Sequence, residues 1–341
     1  MSQSFLHVAN GTSTTLTIEA AAIPGRRSIW ADPLYEGPVP AGLDDGELLE
    51  VRARYLAGAS EGPPDPVNDL REWRRIIERY DDYDELVLWF EHDLFDQLNL
   101  IQILSWLRDR LPRSKVVSLV CIGSFPGRPG FRGLGELTPG ELAPLLGIRQ
   151  RVSEAQYALA QRAWQAFRAP SPEALGEVCQ SVTESTAKGD ADTLPFLVPA
   201  LVRFLQEYPW TSDGLSRSER RLLRLADGEA VSLSAAFPRM HDGEEAYYIT
   251  DASLAGLVET LSRSVPPLLT RLVEPVGGRW LLHGSVVLTE AGRAVLNGEQ
   301  DRIALCGMDR WFGGVHMRSG HYFWRWDDRR RRIATGAYGT S

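Results

Sequence analysis

The run Glu85-Leu86-Val87-Leu88-Trp89-Phe90, followed at once by Glu91-His92-Asp93, constrains this chain more than any other stretch. An apolar run of that length with no alternation predicts a strand buried on both faces. Such strands belong to the middle of parallel sheets covered by helices on both sides. Three ionisable side chains directly after the run would stand at the strand's carboxyl end. That edge is where open α/β sheets bind ligands.

The neighbouring segments extend the pattern. Phe5-Leu6-His7-Val8-Ala9 is a short apolar strand, Asn10-Gly11 marks a turn, and Thr12 or Ser13 is placed to cap a following helix. Residues 27–31 read as a second strand, then Pro33, Gly37, Pro38 and Pro40 make a loop. Helices are expected over 47–57, 68–80 and, with an amphipathic pattern, 94–110, and a last apolar strand over 115–122. Residues 1–147 are therefore expected to form an open, Rossmann-like α/β domain with a parallel sheet. Residues 148–210, rich in Ala, Leu, Gln and Trp, read as a helical connector. Residues 211–300 suggest a winged-helix-like domain. Ser216 and Glu219 form a capping box, short helices follow near 232–240 and 252–263, and 272–282 suits a hairpin wing around Gly277-Gly278. Residues 301–341 form an aromatic tail expected to fold back, with Trp311 and Trp324 largely buried and the basic run Arg329–Arg332 left in solvent.

Composition closes off several classes. The hydrophobic fraction is 43% and the charged fraction 24%, which rules out a wholly disordered chain. A net charge of −8 has the wrong sign for a non-specific nucleic-acid binder. Cys121, Cys179 and Cys306 lie far apart, so no zinc ribbon or thioredoxin-like motif can be drawn, and reduced thiols in the cytoplasm are expected. No signal peptide is expected from residues 1–6, and no apolar run is long enough to span a membrane.

Four constellations carry chemistry. His7, Asn10, Gly11, Thr12 and Ser13 mark a strand-to-helix junction whose free N–H groups suit an anionic ligand. Asp32 and Glu36 sit in the proline-rich loop and are expected to line the opposite wall of the same site. Glu91, His92 and Asp93, with Asp96 and Gln97 one turn on, suit proton transfer, and the same group could bind a divalent metal. In the tail, His316 follows Gly313-Gly314 and is expected to reach the cleft. Each has a plainer reading. The junction is an ordinary βα turn, the loop acids are solvent-exposed, Asp93 is only a helix cap, and the tail docks for stability alone. Neither a Gly-x-Ser-x-Gly elbow nor a His-Glu-x-x-His motif occurs.

The order His7-x-x-Asn10-Gly11, then Trp30 through Glu36-Gly37-Pro38-Val39, then Trp89-Phe90-Glu91-His92-Asp93 with Asp96-Gln97, resembles bacterial proteins that carry the domain of unknown function numbered 1835. The resemblance covers roughly residues 5–150. Relatives often show Asn-Gly-Asp where this chain has Asn10-Gly11-Thr12, so that acidic position has no counterpart here. The resemblance implies the fold and the location of the site rather than a reaction.

The expected function is that of an enzyme, a hydrolase or transferase acting on a small anionic, phosphorylated or nucleotide-like ligand. Glu91, His92, Asp93 and Asp32 are the catalytic candidates. His7, Asn10, Gly11, Thr12, Ser13, Glu36, Gln97 and His316 are the ligand-binding ones. The alternatives are a ligand-sensing DNA-binding regulator and a protein-interaction or homodimerisation module, both built on the winged helix. DNA is disfavoured on charge: residues 211–328 hold 13 Arg against 16 acids, and 251–263 offers one Arg against Asp251 and Glu259.

Overall fold

The computed structural model describes residues 4–59, 66–189, 193–246, 249–272, 282–320 and 323–336. The first half is built around a five-stranded sheet. In chain order its elements are β1 (Phe5–Ala9), α1 (Thr12–Ala20), β2 (Arg26–Ile29), α2 (Asp45–Ala59), α3 (Pro66–Glu78), β3 (Glu85–Glu91), α4 (Leu94–Arg108), β4 (Val116–Ile122), α5 (Pro139–Leu142) and β5 (Gln150–Arg151). The strand order is β2-β1-β3-β4-β5. The first four strands are parallel, and β5 joins β4 antiparallel. The sheet therefore runs a few residues past the expected boundary at 147. Chain direction across the sheet reverses between β1 and β3, which makes their carboxyl ends a topological switch point.

β3 is buried along its whole length, as its sequence requires. Val87 and Trp89 face a small core with Ile18 of α1 and Leu142 of α5, while Leu86, Leu88 and Phe90 face the main core with α4. Each fully buried Leu or Phe side chain contributes about 1.5–3 kcal/mol, so this strand anchors both layers.

Helix α4 departs from expectation. It is not an amphipathic surface helix but is buried on every side, Gln97, Asn99, Gln102 and Ser105 included. α6 (Glu154–Arg168) and α8 (Leu197–Leu205), from the connector, pack on the side that the sheet leaves open. The polar residues of α4 bear the consequence. Gln102 Oε1 accepts from Trp30 Nε1 at 2.9 Å, and Asn99 exchanges two bonds with the Asp32 main chain at 2.9 Å each. α7 (Glu173–Ala187) lies between the two connector helices in sequence and packs on both.

The second half runs α9 (Arg217–Leu225), β6 (Val231–Ser232), α10 (Leu233–Met240), α11 (Asp251–Arg263), β7 (Leu269–Arg271), β8 (Ser285–Leu288) and α12 (Glu290–Leu296). Ser216 caps α9 with Glu219 reaching back, as the capping box predicts. The three strands form an antiparallel sheet in the order β6-β8-β7. The expected wing falls almost wholly on 273–281, outside the described residues.

The tail comprises α13 (Arg302–Cys306) and two hairpins, β9 (Asp309–Phe312) with β10 (Val315–Arg318), and β11 (Phe323–Asp327) with β12 (Arg332–Gly336). It folds back as expected. Gly313 O accepts from Val39 N at 2.9 Å, and Gly314 N donates to Phe167 O at 3.0 Å. A Cβ on Gly314 would run into the Arg168 carbonyl, so glycine is required at this close approach. The buried tryptophan is Trp326, not Trp311 or Trp324, which are half-buried. Main-chain bonds to Pro209 O at 2.8 Å and from Thr211 N at 3.0 Å pin Trp326 against the body. Arg329–Arg332 are exposed at the turn between β11 and β12.

Candidate functional site

The carboxyl ends of β1 and β3 bring Asn10 and Glu91 together at the switch point. Asn10 Nδ2 donates to Glu91 Oε1 at 3.0 Å and lies 3.1 and 3.0 Å from the two oxygens of Asp96. Thr14 Oγ1 donates to Asn10 Oδ1 at 2.8 Å, which fixes which end of the amide faces the acids. Asp93 is the N-cap of α4 and accepts from Asp96 N at 2.8 Å. Asp96 in turn reaches back to accept from Glu91 N at 2.5 Å. The Gln97 amide donates to the Glu91 carbonyl. A local cap and a long-range amide clamp thus lock one cluster.

The 123–135 segment closes over it. Leu134 N donates to Glu91 Oε1 at 2.5 Å. A Cβ on Gly133 would collide with the Glu91 carboxyl, so only glycine lets the backbone come this close.

Glu91, Asp93 and Asp96 are all buried, and an oxygen from each lies within 4.8 Å of the others. Among the described residues no Arg, Lys or His forms an ion pair with any of them. Burial, and secondarily the Asp93 charge, pushes Glu91 up to about 8. Burial lifts Asp93 to about 6, while burial and then the Glu91 and Asp93 charges hold Asp96 well above the usual carboxylate range. Burial thus disfavours the charged form of all three, and their protonation is linked. Their oxygens are also the donor set a hard divalent cation takes. The Asn10 N–H points at two of the acids, however, so a cation entering there has to displace that donor.

Asp93 and His92 also line a cleft of about 940 Å³. Its other walls are the glycine-rich loop Gly123–Arg132, Phe196 and Pro199 of the α8 region, and residues 241–246 after α10, among them His241, Asp242 and Glu245. The His92 ring lies 6.4 Å from Phe131, near-parallel, and 6.0 Å from Phe196, edge-on. Burial lowers its pKa, so the imidazole is neutral at pH 7 and can accept a proton. Arg128 is held by Glu141, with Nη2 to Oε2 at 2.7 Å. Arg132 is exposed, with no ion pair among the described residues. Sequence reasoning missed Phe125, Arg128, Phe131 and Arg132. The available signal was the glycine spacing 123, 127, 130 and 133 directly after a strand, with two arginines inside it.

Several candidates lie elsewhere. His7 is a core residue: Nδ1 accepts from Trp89 Nε1 at 3.1 Å, and Nε2 lies 3.1 Å from Pro24 O. It sits mid-strand, below the carboxyl edge. Gly11 is the N-cap of α1 without a side-chain bond, so neither Thr12 nor Ser13 caps that helix; both are exposed on its first turn. Asp32 is paired with Arg52, Nη2 to Oδ1 at 2.5 Å, with both groups buried. Arg52 also donates to the Glu36 and Pro33 carbonyls at 2.6 and 3.1 Å, so the pair ties α2 to the proline-rich loop. Glu36 lines a different cavity. His316 stays on its own hairpin, stacked on Trp311 at 4.3 Å and 2.6 Å from Asp309 Oδ1, and does not line the cleft. The hairpin is held instead by its main-chain bonds to Val39 and to Phe167 of α6.

No family model matches the chain, and no curated protein matches it. Among the described residues no helix is long and apolar enough to cross a membrane.

Proposed function

We propose that the chain is an enzyme, a hydrolase or transferase that acts on a small anionic, phosphorylated or nucleotide-like ligand in the cleft beside the carboxyl ends of β3 and β4. The observation that carries this reading is the double position of Asp93. It belongs to the buried acidic cluster and also lines the cleft. A carboxyl raised toward neutrality at a cleft wall can take up or release a proton at working pH, with Glu91 and Asp96 behind it. Neutral His92 is the accepting group beside it. Arg132, assisted by Arg128, supplies positive charge for the anionic part of the ligand. Phe125, Phe131 and Phe196 offer flat apolar surface for a planar part.

Turnover of a panel of phosphorylated and nucleotide substrates tests this. Asp93→Asn and His92→Gln are expected to lower kcat by about 10²–10⁴-fold on any substrate found. Unchanged turnover in both variants would remove the cleft from the reaction.

The winged-helix reading of 211–300 agrees with the order α9-β6-α10-α11-β7-β8. As a DNA reader it is disfavoured by where α11 lies. Ser253 of this helix meets Tyr35 of the α/β half, Oγ to phenol oxygen at 3.1 Å, and five of its residues line a cavity with Glu36. The face a recognition helix would offer is turned toward the chain's own first half, so we read the module as an internal docking partner.

A further inference from the structure

A cavity of about 150 Å³ opens where α4 and α6 meet, bounded also by the start of α2 and by α3, and shares no lining residue with the cleft. Its polar groups are unevenly matched. Trp106, in the last turn of α4, is only 4% exposed, and its indole N–H has no hydrogen-bond partner among the described residues. Arg74 of α3 and Arg168 of α6 line the same cavity. The hydrogen bonds of both go to main-chain carbonyls. Arg74 Nη1 donates to Asp45 O at 3.1 Å, and Arg168 donates to Pro40 O at 2.8 and 3.0 Å and to Leu43 O at 2.9 Å. The two acids on the wall are engaged elsewhere. Asp45 is bound by Arg110, and Asp109 accepts from Gln161 Nε2 at 3.3 Å. Among the described residues neither Arg74 nor Arg168 forms an ion pair.

Each of these guanidiniums lies over an indole ring, Arg74 over Trp30 at 5.1 Å and Arg168 over Trp164 at 5.7 Å, so both are in place before anything binds. Burial works against both charges, yet arginine stays protonated at pH 7. A buried donor without an acceptor is costly, and so is a guanidinium sunk among neutral groups. One small anion answers all three, because its oxygens accept while its charge compensates. We propose that this cavity is an anion site for a phosphate group, in which Arg74 and Arg168 supply the charge and the Trp106 indole N–H donates to an oxygen. The site stands apart from the cleft and is independent of the reaction assigned there.

Nuclear magnetic resonance of the full chain labelled with ¹⁵N-tryptophan tests the proposal, with the Trp106 indole signal assigned from its loss in Trp106→Phe. Inorganic phosphate and glycerol 2-phosphate are titrated separately at constant ionic strength. The Trp106 N–H is expected to move downfield, saturably, with at least one of them and not with chloride. A tighter ester assigns the site to a phosphorylated small molecule, a tighter free ion to phosphate itself. The midpoint should rise at least tenfold in Arg74→Gln and in Arg168→Gln, each first checked by circular dichroism. Gln165, exposed on α6 at the cavity wall, gives a test that spares the buried groups: Gln165→Glu should weaken binding and Gln165→Lys should tighten it. Arg132→Gln, in the separate cleft, should leave the shift as it is in the parent. An unmoved Trp106 signal, an equal shift with chloride, a midpoint that neither the arginine nor the Gln165 variants change, or loss in Arg132→Gln would overturn the proposal.

Discussion

Asn10 and Glu91 stand 81 residues apart in the chain, yet Nδ2 of one donates to Oε1 of the other at 3.0 Å. This bond crosses from β1 to β3 at the switch point and joins the turn after the first strand to the acids after the third. The same amide reaches Asp96, so one neutral side chain holds two buried acids in place.

Removing that donor exposes its role. Asn10→Ala is expected to destabilise by about 1–3 kcal/mol, the cost of leaving buried acceptors unsatisfied. Asn10→Asp should cost more, because a further carboxyl joins a buried acidic cluster. Urea unfolding at pH 7 measures both, and equal stability of Asp and Asn at this position would show that the amide does not hold the cluster.

The cluster also sets a pH dependence. Glu91, Asp93 and Asp96 bind protons more tightly folded than unfolded, so the native state holds more protons between the ordinary carboxylate range and about pH 8. Stability must then fall as pH rises through that window and is greatest at its acid end. Unfolding free energies at pH 5.5 and pH 8.5 should show this decline, and Glu91→Gln, which cannot ionise, should flatten it.

Protons and a divalent cation compete for the same oxygens. Because the Asn10 donor faces Glu91 and Asp96, protons are the expected occupants at pH 6. Treating the purified protein with EDTA at that pH should leave the melting temperature unchanged, and a clear drop on chelation, reversed by Mg²⁺ or Mn²⁺, would instead show a resident cation.

Asp32 and Arg52 form a buried pair with every acceptor matched. Breaking it with Arg52→Met leaves a buried carboxylate without its partner and is expected to cost about 3–5 kcal/mol. Asp32→Asn with Arg52→Met together should recover part of the loss. A catalytic Asp32 would show the reverse pattern, with activity lost and stability kept.

The tail is expected to act through packing. Truncation before Gly307 removes Phe312 and Trp326, both buried, and should lower the melting temperature while leaving ligand binding in the cleft intact. An unchanged melt would mean that the hairpins do not pack on the body in solution.

Several features were legible in the residues themselves. The apolar run 85–90 needs burial on both faces whatever surrounds it, and Ser216 with Glu219 closes a capping box within one turn. The Asn10 and Glu91–Asp93 segments both follow apolar strands, and parallel strands place such ends on one edge. The misread residues are those whose surroundings come from distant segments. The polar side of α4 looked solvent-facing because α6 and α8, which cover it, lie beyond residue 150. Asp32 looked free because nothing local marks Arg52 as its partner.

What the sequence by itself determined about this protein is periodicity and capping: where strands and helices form, and which edge of the sheet carries the acids. These depend on dihedral preference and on the pattern of burial, both properties of contiguous residues. Tertiary structure alone decided which acids lose their charge, which are neutralised by arginine, and which cavity each one faces. Those outcomes turn on desolvation and on a few ångströms of separation between groups far apart in the chain. So Glu91 and Asp32, alike as isolated carboxyls, become a member of a buried acidic cluster and half of a structural ion pair.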